Sequence, residues 1–204
     1  EAELRYLYDN ADCVAVIVGE QYTDALAAVA DSLPLLRHTL VMGEQYEAAL
    51  AAASPERDGR ERSPDDMYLL YTGGTTGMPK GVMWRHEDIL LGAMNSGRGG
   101  RPVERPEQLG EEAAASPGQM RLMALGPMMH GGGQWVMGNA FTMGGVFVLY
   151  TGQRFDAHAI WRLAERGGAN SVSTVGDAMA RPLAAALAEG TVTYDLSNVF
   201  SIGN

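Results

Sequence analysis

The chain has 204 residues, of which 46% are hydrophobic and 20% charged, as expected for one ordinary globular domain. Its 25 acidic residues outnumber its 15 basic residues, and the formal charge of -10 disfavours nucleic acid as a partner because phosphates would be repelled. The apolar runs at 13–18 and 146–150 are far shorter than the roughly 20 residues of a bilayer span, so no membrane span is predicted. A lone cysteine, Cys13, and a start unlike a secretion signal favour a cytoplasmic location.

Apolar periodicity predicts short strands alternating with longer helices. The β-branched run at 13–18 is typical of a parallel strand covered on both faces. Because parallel neighbours need crossover connections, this alternation predicts an α/β fold in which a parallel or mixed sheet is flanked by helices. The predicted strands are 13–18, 39–42, 67–71, 81–85, 121–126, 145–150, 171–175 and 199–202, and the predicted helices are 24–32, 46–53, 86–95, 134–142, 156–166 and 177–189.

Two segments have no hydrophobic period. Residues 54–66 combine proline, glycine and mixed charge, which is typical of a surface connection. Residues 97–118 are predicted to form a mobile loop. The arginines of this loop could meet a phosphorylated ligand, but exposed surface charge is the simpler interpretation; they are Arg98, Arg101 and Arg105.

The segment after the strand at 67–71 is the most informative part of the sequence, and residues 71–82 are called the phosphate loop below. Its glycines let backbone N-H groups approach an oxyanion, and its threonine hydroxyls add further donors. Lys80 is the only lysine of the chain and supplies a flexible point charge. A Walker A loop is excluded because Lys80 lies between Pro79 and Gly81. The plain alternative is a glycine-rich hairpin with an incidental lysine.

Residues 72–82 resemble the signature loop of the adenylate-forming superfamily, which includes acyl-CoA synthetases, aryl-CoA ligases, luciferases and adenylation domains of peptide synthetases. Gly73 departs from the family, which usually has serine or threonine there, so one hydroxyl contact is missing. Residues 126–133 resemble the second core motif of the family. Further similarity at 144–156 and 194–197 extends the resemblance over essentially the whole chain, and Met128-Met129-His130 with the glycines after it most resembles bacterial fatty-acid and steroid side-chain CoA ligases.

The resemblance implies that residues 1–204 are part of the large N-terminal, AMP-binding domain of such an enzyme, truncated at both ends. It implies ATP, Mg²⁺ and coenzyme A as cofactor and co-substrates, and a fatty or sterol-derived carboxylic acid as the substrate. In the family, the acid attacks the α-phosphorus of ATP to give an acyl adenylate, and coenzyme A then displaces AMP. The cofactor-binding residues implied are Thr72, Gly73, Gly74, Thr75, Thr76, Gly77 and Lys80, with Thr72 touching the metal.

The same resemblance assigns a role to the second motif. His130 would orient the carboxylate and act with Lys80 in the reaction, while Gly131, Gly132 and Gly133 would leave room for the substrate tail. Trp135 is interpreted as core or pocket wall. The other histidines have no spacing typical of metal ligands, and they are His38, His86 and His158.

Several family motifs are expected beyond residue 204, among them the glutamate that binds Mg²⁺, the ribose-binding aspartate and the lysine of the C-terminal domain. The 204-residue chain is therefore predicted to be inactive by itself. Two alternatives stay open: an adenylation domain that loads a carrier protein, and a non-catalytic nucleotide-binding module. An oligomer is compatible with the sequence.

Overall fold

The computed structural model describes residues 1–56, 58–73, 77–94, 103–115 and 119–203. They form two compact units, Glu1–Trp84 and Arg85–Asn204. The helices are α1 Ala2–Asn10, α2 Thr23–Ala30, α3 Glu44–Ala52, α4 His86–Gly92, α5 Pro106–Ala115, α6 Gly131–Thr142, α7 Ala157–Gly167 and α8 Asp177–Ala188. The strands are β1 Ala15–Val18, β2 His38–Val41, β3 Met67–Thr72, β4 Lys80–Arg85, β5 Arg121–Ala124, β6 Val146–Leu149, β7 Ser171–Ser173 and β8 Ser201–Gly203.

In the first unit, β1 and β2 pair in parallel, with Ala15 opposite His38. The parallel pairing confirms the prediction from the β-branched run, but burial on both faces is wrong. Val16 and Val18 are buried, whereas Ile17 is 61% exposed. Successive side chains of a strand point to opposite faces. One face of β1 therefore packs with α1 and α2, through Leu4, Tyr8, Leu26, Val29 and Leu33.

The first unit also contains a second sheet, made of β3 and β4. Only residues 73–79 connect these strands. A parallel crossover needs a dozen or more residues, so the pair is antiparallel. The fold thus combines parallel and antiparallel pairing, and the predicted α/β class is confirmed.

The second unit is built on a parallel four-stranded sheet of order β6-β5-β7-β8. Met123 of β5 lies opposite Val148 of β6 and Val172 of β7. Helices α7 and α8 pack together, and the Trp161 indole N-H donates to the Leu183 carbonyl at 2.9 Å. The most completely buried large side chains of this core are Trp161, Met123, Ile160 and Val172.

Helix α7, which the sequence predicted, has clear signals at both ends. The Asp156 carboxylate accepts the Ala159 backbone N-H at 3.0 Å and so caps the first turn. Gly168 follows the last turn in the left-handed region, with φ of 59°, where glycine pays little steric cost.

Two predictions about secondary structure are wrong, one for residues 97–118 and one for the start of α6. Residues 97–118 are not irregular throughout, because α5 occupies Pro106–Ala115, which starts with a proline and is rich in glutamate and alanine. The rest of that segment, including Arg98 and Arg101, lies outside the described residues except for 103–105. Helix α6 begins at Gly131 and not at residue 134, since His130 already serves as the N-cap. None of the helices in the described part of the chain is both long and apolar enough to cross a bilayer.

Candidate functional site

The phosphate loop begins where β3 ends and finishes where β4 begins. Thr72 is the last residue of β3 and Lys80 the first of β4, so strand pairing brings the two ends of the turn together. The Thr72 hydroxyl donates to the Lys80 carbonyl oxygen at 3.4 Å, which is a weak bond. Both residues are exposed. A hydroxyl and an ammonium group are therefore presented on the same exposed turn.

Two glycines of the loop have identifiable structural reasons. Gly77 has φ of 99°, a conformation that residues with a side chain rarely adopt. A Cβ on Gly81 would lie 3.1 Å from Cζ of Tyr71, so the glycine leaves room for the Tyr71 ring. The predicted phosphate contacts of Gly74, Thr75 and Thr76 lie outside the described residues, while Gly73 is exposed.

The electrostatics of the loop favour an anion. Within the described ranges, no carboxylate oxygen lies at ion-pair distance from the Lys80 ammonium group, although the chain carries a formal charge of -10. The neighbouring Tyr71 donates its hydroxyl to the Asn10 side-chain oxygen at 2.6 Å, which ties β3 to α1. Partial burial, followed by the nearby Tyr6, Cys13 and Asp12, raises the pKa of Tyr71. Tyr71 is thus a neutral donor, and Lys80 is the cation that can meet a phosphate.

The second motif forms the start of α6 in the second unit. His130 is the N-cap residue, with φ of -107° and ψ of 147°, but its exposed imidazole makes no capping hydrogen bond. The backbone holds the turn: the His130 N-H donates to the Pro127 carbonyl at 2.9 Å. In addition, the side-chain amide of Gln134 donates to the Met128 carbonyl at 2.8 Å. The backbone of His130 is fixed while its ring stays accessible.

The three glycines after His130 differ in what surrounds them. Gly131 and Gly133 are buried. A Cβ on Gly133 would lie 3.0 Å from the Gly126 carbonyl oxygen, so this position needs glycine for close packing. A Cβ on Gly132 would meet nothing within 4 Å among its neighbours. Gly132 is therefore the glycine with open space beside it, and the predicted role of all three beside a substrate tail stays a prediction.

Two polar residues of α6 that sequence reasoning missed fix the chain after α4. The Asn139 amide donates to the carbonyls of Ala93 at 2.6 Å and Trp135 at 2.9 Å, and the Thr142 hydroxyl donates to the Met94 carbonyl at 2.8 Å. Both residues are buried. Their only sequence signal is polarity on the apolar face of a predicted helix. The indole N-H of Trp135 is buried and has no hydrogen-bond partner among the described residues.

No preformed metal cage exists in the described part of the chain, where no three side chains of His, Cys, Asp or Glu are placed to hold an ion. His158 instead bonds the Tyr194 hydroxyl through Nδ1 at 2.5 Å, and its Nε2 lies 3.4 Å from Glu189. Burial and the nearby Asp12 raise the pKa of the Cys13 thiol, which makes it a poor nucleophile. The predicted residues therefore occupy two separate places: the phosphate loop in the first unit and the start of α6 in the second.

Comparison with known proteins defines the class. The family model of AMP-binding enzymes matches residues 1–203. The chain therefore belongs to the AMP-binding enzyme family, and the resemblance to the adenylate-forming superfamily is confirmed.

Two curated relatives are closely similar over the whole of this chain. A 3-oxocholest-4-en-26-oate–CoA ligase of Rhodococcus rhodochrous is 42% identical over 222 residues, covering 100% of this chain and 40% of that protein. A medium/long-chain-fatty-acid–CoA/3-oxocholest-4-en-26-oate–CoA ligase of Mycobacterium tuberculosis (strain CDC 1551 / Oshkosh) is 42% identical over 219 residues, covering 100% of this chain and 39% of that protein. The chain thus spans about two fifths of the relatives that it matches.

Solved structures show the same fold. The inhibitor-bound N-terminal domain of FACL13 from Mycobacterium tuberculosis superposes with a TM-score of 0.72 at 22% identity, covering 99% of this chain and 47% of that one. The anthranilate CoA ligase AuaEII in complex with anthranoyl-AMP gives a TM-score of 0.72 at 18% identity, covering 99% of this chain and 38% of that one.

Proposed function

We propose that the protein containing this chain is an ATP-dependent acid–CoA ligase. It would join a carboxylic acid to ATP as an acyl adenylate, with release of pyrophosphate, and then transfer the acyl group to coenzyme A with release of AMP. The observation that carries the proposal is the exposed turn between β3 and β4, whose lysine has no carboxylate partner among the described residues, in a member of the AMP-binding enzyme family.

The phosphate loop would supply positive charge where the pyrophosphate departs. Lys80 would follow the β- and γ-phosphates, because an ammonium group on a flexible stem can move with its partner. The hydroxyls of Thr72, Thr75 and Thr76 and the amides of Gly73, Gly74 and Gly77 would donate to the remaining phosphate oxygens. The weak bond of the Thr72 hydroxyl, at 3.4 Å, costs little to exchange for a ligand.

The donor set of the loop is compatible with a magnesium ion carried in with the nucleotide. Mg²⁺ prefers oxygen ligands and keeps several waters, binding through one or two protein oxygens together with substrate phosphates. Thr72 offers one exposed hydroxyl oxygen, and no carboxylate cage is formed by the described residues. Thr72 would hold the ion, which would neutralise charge on the phosphates when bound.

His130 would position the carboxylate. Its backbone is held by the turn before α6 while its imidazole is exposed and unused by the cap. A neutral imidazole N-H can donate to a carboxylate oxygen and hold it at a fixed angle to the nucleotide. Gly132, with open space beside it, would face the substrate tail.

The names of the relatives guide the choice of acid. The two relatives above are named for a steroid acid and for medium- and long-chain fatty acids. We therefore infer a fatty or sterol-derived acid as the substrate, coenzyme A as the acceptor, and a cytoplasmic location in which these small molecules are the partners. A role in fatty-acid metabolism would follow.

An activity assay tests the reaction. A longer form of the protein that contains this chain would be supplied with ATP, Mg²⁺ and a panel of fatty, sterol-derived and aromatic acids, and pyrophosphate release would be measured. We expect release with fatty or sterol-derived acids and a CoA thioester by mass spectrometry only when CoA is added. Acyl transfer to a carrier protein but not to CoA would overturn the proposed acceptor. Failure of every acid in the panel to form an adenylate would favour a non-catalytic module. The 204-residue chain alone should release no pyrophosphate.

A binding measurement tests the loop separately. By calorimetry on the 204-residue chain, Lys80→Ala should weaken binding of ATP or pyrophosphate about tenfold or more, because a charge-assisted bond is lost. Lys80→Arg keeps the charge and should retain part of the affinity. Arg5→Ala removes an exposed charge of α1 in the same unit and should change nothing. Equal affinity for wild type and Lys80→Ala would remove Lys80 from the site.

A further inference from the structure

Helix α7 and the segment after β6 line an open surface cavity of about 270 Å³ in the second unit. The segment after β6 contributes Tyr150, Thr151 and Gly152, and α7 contributes Arg162, Leu163 and Arg166. Because parallel sheets bind ligands at the carboxyl ends of their strands, a cavity that begins where β6 ends lies in a favoured position. None of these residues belongs to the phosphate loop or to the motif around His130.

Two guanidinium groups face this cavity from one side of α7. Arg162 and Arg166 are four residues apart in a helix and therefore lie on the same face, one turn from each other. Neither makes a hydrogen bond or ion pair with the described residues. Asp156 is close enough to Arg162 for their charges to interact, but its Oδ1 accepts the Ala159 N-H.

The arginine pair contrasts with five of the nine other arginines in the described ranges. Five described arginines lie 2.6–3.4 Å from a carboxylate oxygen: Arg60, Arg62, Arg85, Arg105 and Arg181. In a chain with 25 acidic residues, two adjacent guanidinium groups without such a partner repel each other unless an anion lies between them. The guanidinium fork matches the oxygens of a phosphate in two parallel hydrogen bonds.

The opposite wall of the cavity adds donors and a fixed shape. The Thr151 hydroxyl and the backbone N-H groups of Thr151 and Gly152 donate no hydrogen bond within the described ranges. Tyr150 donates its hydroxyl to the Arg154 carbonyl at 2.7 Å, which folds the turn. A Cβ on Gly152 would overlap that hydroxyl oxygen, so a larger residue would displace the Tyr150 ring.

We propose that the cavity between α7 and the end of β6 binds a phosphate group of an organic phosphate, held by Arg162 and Arg166 with donors of Thr151 and Gly152. The proposal rests on the proposed function for its choice of ligands, because ATP, pyrophosphate and coenzyme A all carry such phosphates. It assigns a second anion site in addition to the phosphate loop. The 3′-phosphate of coenzyme A and the phosphates of the nucleotide share this chemistry.

The test uses calorimetry on the 204-residue chain carrying Lys80→Ala, so that binding at the phosphate loop is suppressed. Coenzyme A, dephospho-coenzyme A, pyrophosphate and ATP are the probes. In this background we expect binding of at least one probe, weakened about tenfold or more by the double change Arg162→Gln and Arg166→Gln. Tighter binding of coenzyme A than of dephospho-coenzyme A would identify the 3′-phosphate as the occupant. Binding of pyrophosphate as tight as that of coenzyme A would identify the phosphates of the nucleotide.

Arg181→Gln is the matched control. Arg181 is exposed on α8 and pairs with Asp177, so its loss removes the same charge without touching the cavity. Equal weakening by Arg181→Gln would show a general charge effect and overturn the proposal, as would affinities all weaker than about 1 mM.

A purely structural role is also distinguishable. Arg166 lies in the last turn of α7, where a cation stabilises the helix dipole. If that were its only role, Arg166→Gln would lower the melting temperature and leave phosphate binding unchanged, which overturns the proposal. The two proposals fail independently. If the arginine changes leave binding unchanged, the ligase function is still supported by the Lys80 test. If Lys80→Ala leaves binding unchanged, the cavity is still tested by Arg162 and Arg166.

Discussion

The phosphate loop and the start of α6 carry the two strongest motif similarities, yet the protein holds them in opposite ways. Most described residues of the loop are exposed, Thr72 and Lys80 among them, and a Cβ on Gly77 would meet nothing within 4 Å. The start of α6 is packed, with Gly133 against the Gly126 carbonyl and Gln134 bonded to Met128. A motif can thus consist of exposed residues that are available to bind a ligand, or of packed residues that support the fold. We expect changes in the loop to alter ligand binding and changes at α6 to alter stability as well.

The largest effect should come from the core that supports the packed region. Trp161→Ala removes a side chain that is 1% exposed and whose N-H bonds the Leu183 carbonyl, and it should lower the free energy of unfolding by about 3–5 kcal/mol. Urea unfolding followed by circular dichroism measures the change. Phe141→Ala, at a side chain 63% exposed in the same unit, should cost about 0.5 kcal/mol or less. Similar midpoints for the two variants would contradict the description of this core.

An intermediate effect separates two neighbouring glycines of the packed segment. Gly133→Ala places a methyl group 3.0 Å from the Gly126 carbonyl and should cost about 1–3 kcal/mol. Gly132→Ala meets no neighbour and replaces a poor helix former, so it should be neutral or stabilise by up to about 1 kcal/mol. Thermal melts of the two variants measure the difference. If both variants have the same melting temperature, close packing is not the role of Gly133.

Local signals in the sequence predicted much of this fold. The β-branched run before Gly19 predicted a parallel strand, and Asp156 marked the N-terminal end of α7. Helix α5 was missed because its glutamates and alanines favour a helix by intrinsic propensity without forming an apolar stripe. The start of α6 was missed because three successive glycines read locally as a turn, while close contact with a distant carbonyl decides the structure.

The candidate site divides in the same way. The chemistry of Lys80 and His130 could be read from residue type and order, since a lone lysine in a glycine-rich turn and a histidine before glycines are local patterns. The bonds of Asn139 to Ala93 and of Thr142 to Met94 join residues more than forty positions apart, and no local pattern specifies them. The sequence analysis singled out neither Arg162 nor Arg166 of α7, because the absence of a carboxylate partner is a property of the folded chain.

The smallest effect concerns Asp156, which is exposed like the phosphate loop but acts on stability like the packed segment. The backbone N-H of Ala159 is the main cause that lowers the pKa of Asp156. Desolvation opposes it, while the His158 N-H and the charges of Arg162 and His158 lower the pKa further. A carboxyl whose pKa is lower in the folded state stabilises the fold above its unfolded value of 3.8. That stabilisation is lost as the pH falls through the lower folded value.

Asp156→Ala should therefore melt a few degrees below wild type at about pH 7, and the gap should close toward about pH 2. Asp156→Asn is the matched variant, because asparagine caps a helix without a charge that titrates. The difference between Asp156→Asn and Asp156→Ala should stay constant over the same range, since neither side chain gains or loses a proton. Melting curves at several pH values would decide the matter: a gap between wild type and Asp156→Ala that never narrows would mean that the neutral cap, and not the charge, stabilises α7.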